Sequence, residues 1–155
     1  MNEAHEDHLY ILVCIDRLSN AWQTLKTIEE SGNHPLIGPA FRYALVEYAT
    51  PFTRSDGPLK KRRTLHESLI PSSMRELHQR IVTARNQLHA HADLVALEAE
   101  IYIQYINGVK HVGRVQNYIH GLEEMKNIAA ITLLIEGVLD NLYTMHHNSK
   151  DTLLP

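Results

Sequence analysis

The feature that most limits how this chain can fold is a long apolar periodicity at its start. Between about Glu3 and Glu30, apolar residues recur at steps of three and four positions, which is the spacing along one face of an α-helix. They are Leu9, Leu12, Val13, Ile15, Leu18, Trp22, Leu25 and Ile28. The spacing predicts one long amphipathic helix, and Ser31-Gly32-Asn33 is a typical signal for its end.

Two further helices are predicted in the first two thirds of the chain. Pro35 can open a helix that runs through Tyr48, because proline is tolerated in the first turn of a helix. Pro51 then starts a loop. The segment Ser73-Met74-Arg75-Glu76 has the form of a capping box, in which two side chains satisfy helix-terminal N–H groups. It predicts that a third helix begins near Ser72 or Ser73.

The last third of the chain combines a hairpin signal with a strongly apolar helix. Asn107-Gly108 lies between two runs of β-branched and aromatic residues, which predicts a β-hairpin from about Ile101 to Val115. A helix through the same region is the alternative. The final helix should run from about Gly121 to His147. Together these elements predict an all-α fold class, an up-and-down four-helix bundle with a small β-hairpin inserted before the last helix.

Composition narrows the class of protein further. The chain has 155 residues, of which 44% are hydrophobic, so we expect one helical domain over residues 1–155. A formal net charge of -3 gives no overall attraction to nucleic acid, so RNA binding would need a local basic patch. The single cysteine, Cys14, lies in an apolar run and should be a packed thiol. Because no signal peptide and no run of about 18 apolar residues is found, we expect a cytoplasmic protein without membrane contact.

The densest chemical motif is Arg85-Asn86-Gln87-Leu88-His89-Ala90-His91-Ala92-Asp93. Arginine can bind a phosphate through two hydrogen bonds and histidine can move a proton near neutral pH, so the motif suits phosphodiester chemistry without a metal. A histidine would remove the proton from a ribose 2′-OH, which attacks the adjacent phosphorus and expels the 5′-oxygen. The arginine would stabilise the charge on the phosphoryl oxygens. Asn86 would orient the phosphate or the imidazole, and Asp93 would fix the histidine tautomer or cap the next helix.

Helical geometry limits how Arg85 and His91 can meet. Residues six apart on an unbroken helix differ by about 600° of rotation, which leaves them about 120° apart around the axis. They converge if the helix ends or kinks near Ala90, or if a second copy of the chain completes the pair across a two-fold axis. Arg85 and His89 share a helix face, so His89 is a rival to His91.

The spacing of arginine and histidine says little by itself. The chain holds 11 histidines, and Arg114 and His120 repeat the six-residue spacing. A structural role for the Arg85 stretch in helix packing is therefore an alternative to catalysis. Histidine pairs such as His5 and His8, or His146 and His147, lack the spacing of known metal motifs, so neither a metal nor another cofactor is predicted.

A second candidate for RNA contact is the basic run in the loop after the second helix. Lys60, Lys61, Arg62 and Arg63 are the only concentrated basic charge in the chain. They form either a docking strip for a phosphate backbone or a solvated loop segment. Proximity to Arg85 would favour the first interpretation.

The Arg85 stretch resembles the Arg-polar-x₄-His motif of the HEPN superfamily. The longer pattern Arg-Asn-x-x-x-Ala-His-x-Asp is similar to that of a subset of uncharacterised prokaryotic members. Tyr48-Ala49-Thr50-Pro51-Phe52, together with Ser55, resembles a segment that the same subset carries upstream. The resemblance spans roughly Phe41 to Asp93.

The resemblance implies a four-helix bundle, a homodimer with the motif at its interface, and metal-independent endoribonuclease activity in toxin-antitoxin or phage-defence systems. RNA would be the substrate and an antitoxin a further partner. Arg85, Asn86 and His91 would form the catalytic group, with Asn86 in a supporting role and His89 and Asp93 as auxiliary residues. Since many members are non-catalytic, a HEPN-like module that binds RNA, nucleotide or protein is the alternative function.

Overall fold

A computed structural model of the chain describes residues 3–57, 61–86, 100–115 and 122–150, with side chains described as far as His147. The described α-helices are α1 (Glu3–Glu30), α2 (Ile37–Ala49), α3 (Arg75–Ala84) and α4 (Ile128–Lys150). The described strands are β1 (Ser55–Asp56), β2 (Arg62–Arg63), β3 (Glu100–Ile106) and β4 (Val109–Val115). Short 3₁₀ turns lie at Thr50–Phe52, Glu67–Leu69, Ser72–Met74 and Glu123–Asn127.

The core lies between α1, α2 and α4. Helix α1 has the predicted bounds and packs against both α2 and α4. The largest fully buried side chains of these helices come from residues spaced three and four apart: Leu18, Leu25, Phe41, Leu45, Tyr48, Ile131, Leu134, Ile135, Val138 and Leu142. Cys14 is buried as predicted, and burial raises the pKa of its thiol to about 11. The prediction of a packed cysteine is therefore confirmed.

Helix α4 belongs to the described segment Glu123–His147, which is long and apolar enough to cross a membrane by length and composition. A buried core helix passes the same test. In this structure Ile131, Ile135 and Leu142 of α4 are fully buried against the rest of the protein, whereas Leu133 remains exposed. Core packing thus accounts for the apolar residues on one side of α4.

Helix α3 begins differently from the prediction. A 3₁₀ turn at Ser72–Met74 precedes it, and its N-cap is Met74, whose side chain makes no capping hydrogen bond. The predicted capping box of Ser73 and Glu76 is therefore wrong. Glu76 is instead engaged by Arg80, one turn along the same helix, at 3.2 Å.

The fold class predicted from the sequence, an up-and-down four-helix bundle, is also wrong. Helical residues make up 71% of the described part, and two antiparallel strand pairs are added to them. The protein has a helix-rich mixed fold.

The predicted β-hairpin before the last helix is confirmed. Strands β3 and β4 pair antiparallel in one continuous register, from Glu100 opposite Val115 to Ile106 opposite Val109. The turn residues Asn107 and Gly108 have φ values of 51° and 79°, the left-handed conformation that a tight two-residue turn requires. Side-chain burial contributes little to the hairpin, since all of its residues except Gly113 are exposed.

Candidate functional site

The predicted catalytic stretch begins at the C-terminal end of α3. This helix forms because Leu77 and Ile81 bury one apolar face, and Arg85 directly follows its last residue. The backbone of Arg85 keeps helical angles, with φ of -58° and ψ of -47°, and its N–H donates to the carbonyl oxygens of Ile81 and Val82. The helical path therefore sets the direction in which the Arg85 side chain leaves the helix.

The Arg85 guanidinium is half-buried and carries no carboxylate partner in the part of the chain that the structure describes. Its Nη1 donates a hydrogen bond of 3.0 Å to Oδ1 of the neighbouring Asn86. Its Nε is enclosed and has no hydrogen-bond partner among the described residues. A half-buried cation without a carboxylate partner among the described residues favours an anionic ligand, because pairing would offset part of its desolvation cost.

Two carboxylates on the core helices, those of Glu47 and Glu136, are engaged elsewhere. Glu47 of α2 pairs with Arg17 of α1 at 2.7 Å. Glu136 of α4 accepts a hydrogen bond of 2.8 Å from the indole nitrogen of Trp22. Both carboxylates thus join core helices to one another rather than neutralise Arg85.

Of the predicted catalytic and auxiliary residues, the structure describes Arg85 and Asn86 and places them in direct contact. The predictions for His89, His91 and Asp93 fall within residues 87–99, outside the described residues. The choice between His89 and His91 therefore stays a prediction.

The basic run does not form one exposed strip. Lys60 lies outside the described residues. Arg63 is buried, and its guanidinium donates to Glu6 at 3.0 Å and to Asp7 at 2.8 Å, both in the first turns of α1. Arg63 therefore holds the β1–β2 pair against α1, and the solvated strip predicted from the sequence does not include it.

The two preceding cations of the run are nearer the surface. Lys61 is paired with Glu3 of α1, and Arg62 lies 3.6 Å from Asp56 of the adjacent strand. Such exposed pairs are weak and screened by salt, so Lys61 and Arg62 remain accessible to a phosphate backbone. The RNA-binding prediction can therefore be kept for these two residues of the described part.

A histidine that the sequence analysis missed lies about two helical turns before Arg85. His78 of α3 is buried, and its Nδ1 lies 2.7 Å from the hydroxyl oxygen of Tyr48. The ring of His78 also meets the ring of Phe52 edge-on, with centroids 4.6 Å apart. Tyr48 and Phe52 belong to the Tyr-x-x-Pro-Phe segment singled out in the sequence. The sequence marks that segment but not His78, whose ring meets both aromatic rings only in the folded chain.

Both partners of this buried contact are neutral near pH 7. Burial raises the pKa of Tyr48, so the phenol stays protonated beside Nδ1 of His78. Burial lowers the pKa of His78, with Glu67 opposing the shift. Which of the two groups donates in this hydrogen bond depends on the tautomer of the ring.

His78 also lines an open depression of about 410 Å³. The other lining residues are Phe52, Thr64, Leu65, His66, Glu67, Gln79 and Val82. His78, Val82 and Arg85 are spaced by four and then three residues, so they lie within about 60° of one another around the helix axis. The depression and Arg85 therefore share one side of α3, about 10 Å apart along its axis.

Within the described ranges, no group of three or more histidine, cysteine, aspartate or glutamate residues is placed to hold a metal ion. The rings of His8 and His146 stack with centroids 4.6 Å apart, which joins the start of α1 to the end of α4. These two histidines, singled out in the sequence as metal candidates, thus take part in a helix contact.

Searches of protein-family models, of curated proteins and of solved structures each return no match to the chain. The HEPN resemblance accordingly rests on the motif residues quoted above.

Proposed function

We propose that this protein is a metal-independent endoribonuclease of the HEPN type, acting in the cytoplasm in a toxin-antitoxin or phage-defence system. The observation that carries the proposal is the Arg85 guanidinium, which is half-buried at the end of α3 and has no carboxylate partner in the described part of the chain. A phosphodiester is the anion that an arginine fork fits best. The HEPN-like motif supplies the imidazole that such a site needs.

Cleavage in this proposal is a transesterification. The imidazole of His91 takes the proton of a ribose 2′-OH, and the new P–O2′ bond forms as the P–O5′ bond breaks. The proton returns from the imidazolium to the departing 5′-oxygen, so the products are a 2′,3′-cyclic phosphate and a free 5′-OH. Arg85 stabilises the extra negative charge on the phosphoryl oxygens, and Asn86 holds the guanidinium in place.

A second copy of the chain completes the proposed site. On a continuous helix Arg85 and His91 point about 120° apart, so a single uninterrupted helix does not aim both at one phosphate. Across a two-fold axis, the arginine of one copy and the histidine of the other can face the same groove. The proposed enzyme is therefore a homodimer, with an antitoxin as a further partner.

The decisive experiment compares RNA cleavage by the wild type with that of single variants. Arg85→Ala should lower the cleavage rate by about 10²- to 10³-fold, because the charge on the phosphoryl oxygens loses its main donor. His91→Ala should lower it by about 10²- to 10⁴-fold, the usual contribution of a positioned base. The cyclic-phosphate end of the product, detected by mass spectrometry, checks the chemistry.

The chain offers its own matched control. Arg114 has a histidine six residues later, as Arg85 does, but lies on the exposed strand β4. Arg114→Ala should leave cleavage unchanged. Equal activity of wild type and His91→Ala at equal melting temperature would overturn the assignment of His91, and loss of activity in His89→Ala alone would move the role to His89.

The second candidate is a non-catalytic module that binds RNA, nucleotide or protein. The hydrogen bond between Arg85 and Asn86 is compatible with this module, because a guanidinium oriented by its neighbour suits stable binding as well as catalysis. RNA retained without cleavage, with affinity that falls in Arg85→Ala and with rising salt, would indicate this module.

A further inference from the structure

The β3–β4 hairpin presents an unusual amount of apolar surface. Ile101, Ile103, Tyr105 and Val112 are each more than half exposed. The Tyr102 ring covers Gly113, where a Cβ atom would lie 2.4 Å from the ring, and this contact is internal to the hairpin. A two-stranded hairpin is marginally stable in water without additional strands or a packed face. The hairpin would therefore be stabilised by a further strand or by a surface packed against it.

The register shows which backbone groups are available for that partner. The two-residue turn makes Ile106 and Val109 a hydrogen-bonded pair, and such pairs alternate along an antiparallel ladder. Consequently the N–H and C=O groups of Ile101, Ile103 and Tyr105 point away from β4, along the outer edge of β3. On the outer edge of β4 the corresponding residues are Lys110, Val112 and Arg114.

The two edges differ in charge. If two copies paired along β4 around Val112, Lys110 of each copy would lie opposite Arg114 of the other. Like charges directly opposite one another destabilise a strand pair, and edge cations are a common protection against pairing. The outer edge of β3 carries no charge and no proline at its three outward positions. It is the unprotected edge.

We propose that a second copy of this chain pairs antiparallel along β3, with the two-fold axis at Ile103. Ile103 then lies opposite Ile103 of the second copy, and Ile101 lies opposite Tyr105 on either side. All three outward residues are hydrogen-bonded in this register, which gives about six backbone hydrogen bonds between copies. Pairs of β-branched and aromatic side chains are among the favourable cross-strand pairs.

This pairing closes on itself. It produces one four-stranded sheet in the order β4, β3, β3, β4, whose outer edges are the two protected β4 strands. Pairing β3 of one copy with β4 of the next would instead leave free edges and continue as an open polymer. This pairing depends on the hairpin alone and not on the proposed function.

The first test is the mass of the particle by analytical ultracentrifugation. Wild type should be a dimer, and Ile103→Lys, which brings two ammonium groups together at the axis, should raise the dimer dissociation constant at least tenfold. Val112→Lys is the matched control, because Val112 is paired with Ile103 within the hairpin but lies on the β4 edge. It should remain dimeric. A monomeric wild type, or equal weakening in both variants, would overturn the proposal.

A second variant guards against misfolding of the lysine variant. Ile103→Cys places two thiols on facing residues whose Cα atoms lie about 5.5 Å apart in a hydrogen-bonded pair, within disulfide range. Mild oxidation should give a covalent dimer, whereas Val112→Cys should not, and the native Cys14 is buried. No crosslink at position 103 in a dimeric sample would rule out the β3 edge. Both measurements are independent of RNA cleavage, so a failed nuclease assay leaves them unaffected.

Discussion

At the residue scale, the buried side chain of Arg63 is matched to particular partners. Arg63 is enclosed by the carboxylates of Glu6 and Asp7, which lie 57 and 56 positions away in the chain. Its three neighbours in the basic run have the same local sequence character. A charge run in a sequence carries no sign of such distant carboxylates, so the structural role of Arg63 could not be separated from an RNA-binding role beforehand.

His78 makes the stability of the folded state depend on pH. Its pKa is lowered by burial, so the native ring resists a proton that the unfolded chain binds at about pH 6.5. The stabilisation is present above that pH and is lost as the pH falls through the native pKa, at up to about 1.4 kcal/mol per pH unit. His78→Gln should remove this part of the pH dependence, as measured by urea unfolding between pH 5 and pH 8.

The comparison for this variant is His111→Gln, since His111 is exposed on β4. Its unfolding curve should keep the wild-type dependence on pH. Tyr48→Phe supplies the complementary result, because loss of the hydroxyl that is hydrogen-bonded to Nδ1 should lower the free energy of unfolding at every pH. If His78→Gln kept the full pH dependence, the buried pair of His78 and Tyr48 would not be its source.

At the scale of elements, some helices and strands are set by local sequence signals and others by tertiary packing. The β3–β4 hairpin follows from its turn residues and strand composition, and its predicted limits agree with the structure. The capping-box motif does not predict the start of α3, because a 3₁₀ turn leads into the helix and Met74 occupies the N-cap. Short-range patterns are informative where the bonds they predict are themselves short-range.

The turn of the hairpin can be tested without disturbing the core. Gly108 has a φ of 79°, so Gly108→Ala should strain the turn by about 1–2 kcal/mol. Amide exchange in β3 and β4 should become faster, while the global free energy of unfolding changes by less than about 0.5 kcal/mol because the strands lie outside the core. Hydrogen-exchange mass spectrometry, resolved by peptide, measures both regions together.

Gly32→Ala is the comparison variant for Gly108→Ala, because Gly32 lies just after the core helix α1. Gly32 has a φ of 61° after the end of α1, and a Cβ atom there would meet nothing within 4 Å, so strain is the main effect. This variant should lower the global free energy of unfolding and leave exchange in the hairpin unchanged. The opposite pattern, with Gly108→Ala unfolding the whole protein, would mean that the hairpin is part of the cooperative core.

At the scale of the whole molecule, stability depends on the packing of α1 against α2 and α4. Ile135 of α4 is fully buried in this core, so Ile135→Ala should lower the free energy of unfolding by about 2–5 kcal/mol. Leu133→Ala, on the exposed side of the same helix, should cost less than about 0.5 kcal/mol. Urea unfolding followed by circular dichroism measures both values.

The contrast between these two alanine variants also tests the surroundings of α4. A large decrease in the free energy of unfolding for Ile135→Ala alone identifies one side of α4 as the side that faces the protein core. Comparable effects at both positions would contradict the packing described here and would suit a helix that is covered on all sides.

The sequence by itself determined the long amphipathic α1, the packed Cys14 and the hairpin with its Asn-Gly turn. It also singled out Arg85 and Asn86, since each of these features depends on residues close together in the chain. Only the tertiary structure decided the helix-rich mixed fold, the burial of Arg63 and the contact of His78 with Tyr48. It likewise decided that Glu47 and Glu136 pair with Arg17 and Trp22. These outcomes depend on groups 30 to 114 positions apart, whose meeting is set by how whole elements pack.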